Sequence, residues 1–227
     1  MWWDIMRDPT FLISPLTNHK RSDGEGSSIP VLIITMTWIN RYWALIGGII
    51  AIGIILFVLL SGMKFSDINT MLWFHFSLLL LHQFEEYIFP GGFREFFNKT
   101  IRIKNTTTKS PLNAGGILLV NVVFGWTAYL ISAISGIQNP WLALGLLGVT
   151  VTNGLLHTTM ALIKRKYVPG LISGLFLFIP FGVYVILRIL KVNPVENIIP
   201  AIIVFVAGTV IIPVSIFITN KMKSLQF

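Results

Sequence analysis

The 227-residue sequence contains no cysteine and only nine acidic residues. The first absence excludes a disulfide framework, a thiolate nucleophile and any Cys-ligated zinc or iron-sulfur site, so a metal here would need His, carboxylate or amide ligands. Charged residues make up only 11% of the chain, too few for an ordinary soluble surface. Apolar residues supply 54% instead. They are gathered into runs near the roughly 20 residues that a helix needs to cross a hydrocarbon core. The net charge of +8 does not point to nucleic acid in this setting. Basic residues in a membrane protein report orientation and contact with anionic lipid, so the expected partner is the bilayer, and no nucleic-acid partner is expected.

Six apolar stretches are predicted as spans, at about 42–63, 70–89, 113–137, 141–163, 168–190 and 198–219. The expected fold is therefore an all-α polytopic membrane bundle of about six transmembrane helices, occupying residues 41–220, in the cell membrane. Basic residues test its orientation, because Lys and Arg near span ends are retained in the cytoplasm. Under this assignment fourteen of the seventeen fall on one face, and only Lys64, Arg188 and Lys191 on the other. That asymmetry places both termini in the cytoplasm, with 221–227 as a short cytoplasmic tail. Residues 1–40 read as an N-terminal extension, either disordered or lying upstream of a native start at Met36.

Lipid should exclude the polar residues that these spans contain. A charged carboxylate at mid-membrane costs about 2.5–3.5 kcal/mol on insertion scales, yet Glu85 and Glu86 stand side by side in the second span. On a helix His82 and Glu86 fall about 40° apart, with Glu85 about 60° to the other side, so all three can address one cavity. Asn153 and His157 form a second pair with i, i+4 spacing in the fourth span. Asn121 is the polar residue of the third. His82, Asn121 and His157 all lie roughly 10–12 Å from the predicted cytoplasmic ends of their helices, which suggests one polar layer open to that side. His75 lies about two turns deeper on the His82 stripe.

With Glu85 and Glu86 completing His82-Gln83-Phe84-Glu85-Glu86, the sequence resembles a family of small bacterial and archaeal membrane proteins named for an H-x-x-E-E motif. Pro90-Gly91-Gly92-Phe93, Asn153-x-x-x-His157 and Tyr167-x-Pro169-Gly170 extend the resemblance over roughly residues 70–190. It implies a membrane location and an enzyme-like site, without naming a substrate.

The residues themselves suggest metal-assisted hydrolysis. An i, i+4 pair on a helix can hold one metal ion from a single face. His82, Glu86 and His157 are the expected ligands, of zinc as the first choice among divalent ions. Glu85 is the expected general base, and Asn153 and Asn121 the expected donors to a developing oxyanion. The substrate would be a lipid or a membrane-embedded molecule. A metal-free variant, in which a glutamate activates water, uses the same residues. Two other classes stay open. One is a proton relay or proton-coupled transporter built on the His/Glu set; the other is a structural polar cluster that fastens helices together without catalysis.

Overall fold

The computed structural model describes residues 28–100, 112–192 and 198–221, and the expectations for 1–27, for the 101–111 loop and for 222–227 lie outside the described residues. Contacts divide the chain into two units, Met1–Met36 and Thr37–Phe227. Of the first, only its helical end from Ser28 is described.

The described residues are helical, with no strand among them. Helix α1 runs Ser28–Leu60, α2 Ile68–Tyr87 and the short α3 Phe93–Thr100. They are followed by α4 Ala114–Gln138, α5 Pro140–Lys164, α6 Leu171–Val192 and α7 Ile199–Lys221. From α2 onward, each long helix begins and ends within three residues of a predicted span. Helix α1 differs, being already helical at Ser28.

Local chemistry explains these boundaries. Asp67 caps α2, its carboxylate accepting from the Thr70 amide at 3.3 Å, and Asn113 caps α4 through the Gly116 amide at 2.8 Å. Pro140 opens α5, where its missing N–H would have no intrahelical partner. Helix α2 ends before Pro90 and the positive-φ pair Gly91 and Gly92, a turn that residues with a Cβ would resist. Two helices widen into π turns, α4 at Leu119–Trp126 and α6 at Gly174–Phe178.

Helices Trp38–Leu60, Ala114–Gln138, Pro140–Lys164 and Leu171–Val192 are long and apolar enough to cross a membrane. Their outward side chains, including Ile49, Phe57, Ile134 and Phe176, are exposed. An apolar exterior on this scale is a surface made for lipid. Helix α2 has the length but less apolar character, because Thr70, His75, Ser77, His82, Gln83, Glu85 and Glu86 all lie on it and are all buried. It is the central helix. Leu80 and Phe76 pack with Ala51 of α1, Tyr129 of α4, Leu146 of α5 and Phe178 of α6. Met71 and Leu72 join Leu147 of α5, Val185 of α6 and Ala201 of α7. The neighbouring helices thus carry the apolar exterior, and α2 carries polar chemistry inside it.

Candidate functional site

Two pairs of side chains spaced by four residues meet between α2 and α5. His82 and Glu86 project from one helix, and Asn153 and His157 from the other. Glu86 Oε1 lies 3.1 Å from His157 Nε2 and 3.5 Å from His82 Nε2. The Asn153 amide nitrogen is 3.2 Å from His82 Nε2. One ligand atom each from His82, Glu86 and His157 lies within 4.8 Å of the others, and all three residues are buried. This group could hold a metal ion. The edge of a tetrahedron of ligands around zinc is about 3.3 Å, given bonds of 2.0–2.1 Å, and the two distances from Glu86 bracket it.

Glu85 faces a different way. Its carboxylate accepts from the Tyr167 hydroxyl at 2.8 Å, the Ile172 amide at 2.9 Å, the Ser173 amide at 2.7 Å and the Ser173 hydroxyl. The two amides belong to the first turn of α6, where N–H groups have no intrahelical acceptor and the helix dipole favours an anion. Hydrogen bonds to a charged group contribute about 1.5–3 kcal/mol each. Four of them offset the burial of one carboxylate. Glu85 therefore anchors the start of α6 to α2, and its oxygens are committed to that task.

The Ser173 hydroxyl connects the two glutamates' surroundings. It has one proton, which it donates to Glu85. Its contact with His82 Nδ1, at 2.7 Å, must then be a bond donated by the imidazole. In the neutral ring the proton thus sits on Nδ1, and Nε2 presents a lone pair toward Glu86 and the Asn153 amide. Outer partners of this kind fix the tautomer and orientation of metal-binding histidines.

His157 lacks such a partner. Its Nδ1 is buried without a hydrogen bond and faces Gly170, whose φ is +90°. A Cβ built on Gly170 would stand 2.6 Å from His157 Cε1 and 2.8 Å from His82 Cε1, so the bare backbone makes room for both rings. The Phe178 ring covers His82, its centroid 4.3 Å away, and Phe93 flanks His157 at 5.6 Å. Gly154 and Gly174 let α5 and α6 approach closely beside the site, as small residues do between membrane helices.

Asn121 stands elsewhere. It accepts from Gln83 Nε2 at 3.1 Å, and its own amide reaches Ile117 O at 3.0 Å and the Tyr87 hydroxyl at 3.4 Å. Gln83 also accepts from Trp126 Nε1 at 2.7 Å. Gln83 is one residue beyond His82 and so about 100° further round α2, facing α4. The structure brings His82, Glu86, Asn153 and His157 together and leaves Asn121 in this separate network. His75 has a network of its own, bonded to Thr150 at 2.7 Å, which in turn meets the Tyr129 hydroxyl at 2.7 Å.

The helices that build the site are those spanned by a family match. Residues 73–185, from mid-α2 through most of α6, match the family described as "Protein of unknown function with HXXEE motif". This stretch is similar to the HXXEE family. The motif residues His82, Glu85 and Glu86 thus have distinct surroundings, two facing the α5 pair and one fastening α6. The chain matches none of the curated proteins and none of the solved structures.

Ser173 and Gly170 are the site residues that sequence reasoning passed over in these roles. Tyr167 donates to Glu85 from the connector before α6. A signal existed in Tyr167-x-Pro169-Gly170 and the Ser173-Gly174 that follows, a polar start to an otherwise apolar helix. Trp43 and Trp126 take part in internal contacts, Trp43 being buried against Tyr87 with ring centroids 4.9 Å apart.

Proposed function

We propose that this HXXEE-motif protein is a six-span membrane protein, with both termini cytoplasmic, that binds a divalent metal ion at His82, Glu86 and His157 and uses it to hydrolyse a lipid or membrane-embedded substrate. The observation that carries the metal is the 3.5 Å approach of His82 Nε2 to Glu86 Oε1. With Ser173 holding the ring proton on Nδ1, two electron-rich atoms face each other in a buried place. The Asn153 amide donates to Nε2 but does not separate it from the carboxylate, and a cation held between the two would relieve their opposition. The donor set of two imidazoles and a carboxylate suits zinc.

Bound zinc supplies a Lewis acid and a water whose pKa falls to about 7. His82 and Glu86 hold one side of the site from α2, and His157 the other from α5. Asn153 brings an amide donor to the same point, in position to stabilise developing negative charge. With Glu85 bonded to α6, its part is to position His82 through Ser173, and the free oxygen of Glu86 becomes the nearer proton acceptor.

Metal analysis of protein purified without chelators tests the metal. Near-stoichiometric zinc, lost in both His82→Ala and His157→Ala, is expected; metal-free protein from metal-replete cells would remove the basis of the reading. The topology has a separate test, since the chain offers no native cysteine. Lys64→Cys should react with an impermeant maleimide from outside intact cells and Lys166→Cys only after lysis. The reverse pattern would overturn the assignment.

One observation favours a second reading. The cation between His82 and Glu86 can be a proton, and the unpartnered Nδ1 of His157 can accept another. The same cluster would then pass protons as a relay or coupled transporter. Proton flux in liposomes that survives chelation and vanishes in Glu86→Gln would select it.

A further inference from the structure

A cavity of about 210 Å³ opens where the predicted cytoplasmic end of the first span, at Asn40–Ala44 within α1, and the end of α2 meet α3 and the start of α4. Arg41, Arg94 and Glu95 line it, together with Asn40, Tyr87 and Phe93. Two arginines against one glutamate give the lining a net positive charge, and the Arg41 guanidinium lies over the Tyr42 ring, 5.5 Å from its centroid. Arg94 spends its Nε–H on Leu112 O at 3.2 Å, which fixes the guanidinium and leaves its Nη donors to turn elsewhere. Asn40 is a lining residue whose Oδ1 atom is buried without a hydrogen-bond partner. The apolar floor continues into the packing of Trp43, Ile117, Phe93 and Phe97. This wall also adjoins the candidate metal site, because Phe93 lies against His157 and Tyr87 follows Glu86 in the chain.

We infer that this cavity is a binding site for the phosphate headgroup of an amphiphile that also carries a hydroxyl or amine donor. Arginine pairs with phosphate through two parallel hydrogen bonds, and two arginines from different helices can clamp one phosphate. The unpartnered Asn40 oxygen calls for a donor on the same headgroup. Arg41 lies at a predicted span end, the depth at which lipid phosphates lie. The aromatic floor suits the first carbons of the chains. Its place beside the metal site rests on the reading above, where it would hold the head of the substrate. Its recognition chemistry does not require the metal.

The test is equilibrium binding of a fluorescent short-chain phosphatidylglycerol to the full chain in neutral micelles, with and without chelator. Saturable binding is expected, weakened at least tenfold in Arg41→Gln/Arg94→Gln and unchanged in Lys164→Gln/Arg165→Gln, which removes equal charge from the same predicted face outside the cavity. Circular dichroism checks that each variant folds, and Asn40→Ala, a milder change, should weaken binding several-fold. Diacylglycerol of equal chain length should compete poorly. Glycerol phosphate and inorganic phosphate separate the sources: weak competition assigns the site to a lipid, whereas competition equal to the lipid's keeps the phosphate and rejects the amphiphile. Equal losses in the two double variants, or full competition by diacylglycerol, would overturn the inference. Loss of binding on chelation would also overturn it, by moving the phosphate to the metal, and persistence of binding in metal-free protein would separate it from the fate of the metal reading.

Discussion

The Ser173 hydroxyl lies 2.7 Å from His82 Nδ1 and can only accept there, because its own proton goes to Glu85. A serine on α6 thereby decides which nitrogen of a histidine on α2 is free to bind a cation. Ser173→Ala removes that control while leaving the backbone amide that also bonds Glu85. Outer-partner losses of this kind typically cost 10–100-fold in metal affinity. Competition with a chromophoric chelator should show a loss in that range and an otherwise folded protein. Unchanged affinity would mean that Ser173 serves only the α6 anchor.

Gly170 gives a prediction of a different kind. Its φ of +90° disfavours any side chain, and a Cβ there would collide with both imidazoles. The strain of such a backbone position is of order 1–3 kcal/mol, and the rings add a displacement that the buried site cannot relieve. Gly170→Ala should lower the melting temperature in micelles and abolish stoichiometric metal. Gly53→Ala is the control, since nothing lies within 4 Å of a Cβ added to that helical glycine and alanine is the better helix former. Equal behaviour of the two variants would remove Gly170 from the site.

Much of this arrangement was legible in the sequence, and the rest failed for a definable reason. Apolar run length located the helices, and i, i+4 spacing paired His82 with Glu86 and Asn153 with His157. Counting residues from helix ends also set Asn121 at the height of His82, where Gln83 indeed meets it. Height along an axis does not say which neighbour a side chain faces. That direction depends on how α4, α5 and α6 surround α2, a tertiary matter that the order of residues leaves open. The same limit hid Ser173, whose partners are 88 and 91 positions away. Glu85 and Glu86 look equivalent in the motif but point about 100° apart, and packing gives them different partners.

Tyr167, in the connector before α6, should give the protein an alkaline sensitivity. Burial of its hydroxyl, and then its hydrogen bond to the Glu85 carboxylate, raise its pKa above the ordinary tyrosine value. A folded-state value above the unfolded one means that the neutral phenol stabilises the fold. This contribution is complete below about pH 10 and is lost as pH rises through the raised value. Melting temperatures measured from pH 9 upward should fall more steeply in the parent than in Tyr167→Phe, which cannot ionise. Parallel curves would show that the bond to Glu85 is not maintained in solution.

The two adjacent glutamates can be separated by the same substitution made twice. Glu85→Gln keeps shape and removes the charge that faces the Ile172 and Ser173 amides, and one of its oxygens becomes a donor pointed at donors. Leaving buried donors so placed costs about 1–3 kcal/mol. Glu85→Gln should therefore destabilise the fold and lower metal affinity only through the loosened Ser173–His82 bond. Glu86→Gln leaves the α6 anchor untouched and takes away the sole carboxylate among the three ligand residues. Neutral amides are poor ligands for zinc beside imidazole and carboxylate, so metal should fall below detection while the melting temperature of metal-free protein holds or rises, the buried charge being gone. Metal content and melting temperature measured on both variants read the two roles independently. If Glu85→Gln lost its metal and Glu86→Gln kept it, the assignment of ligand and anchor within the motif would have to be exchanged.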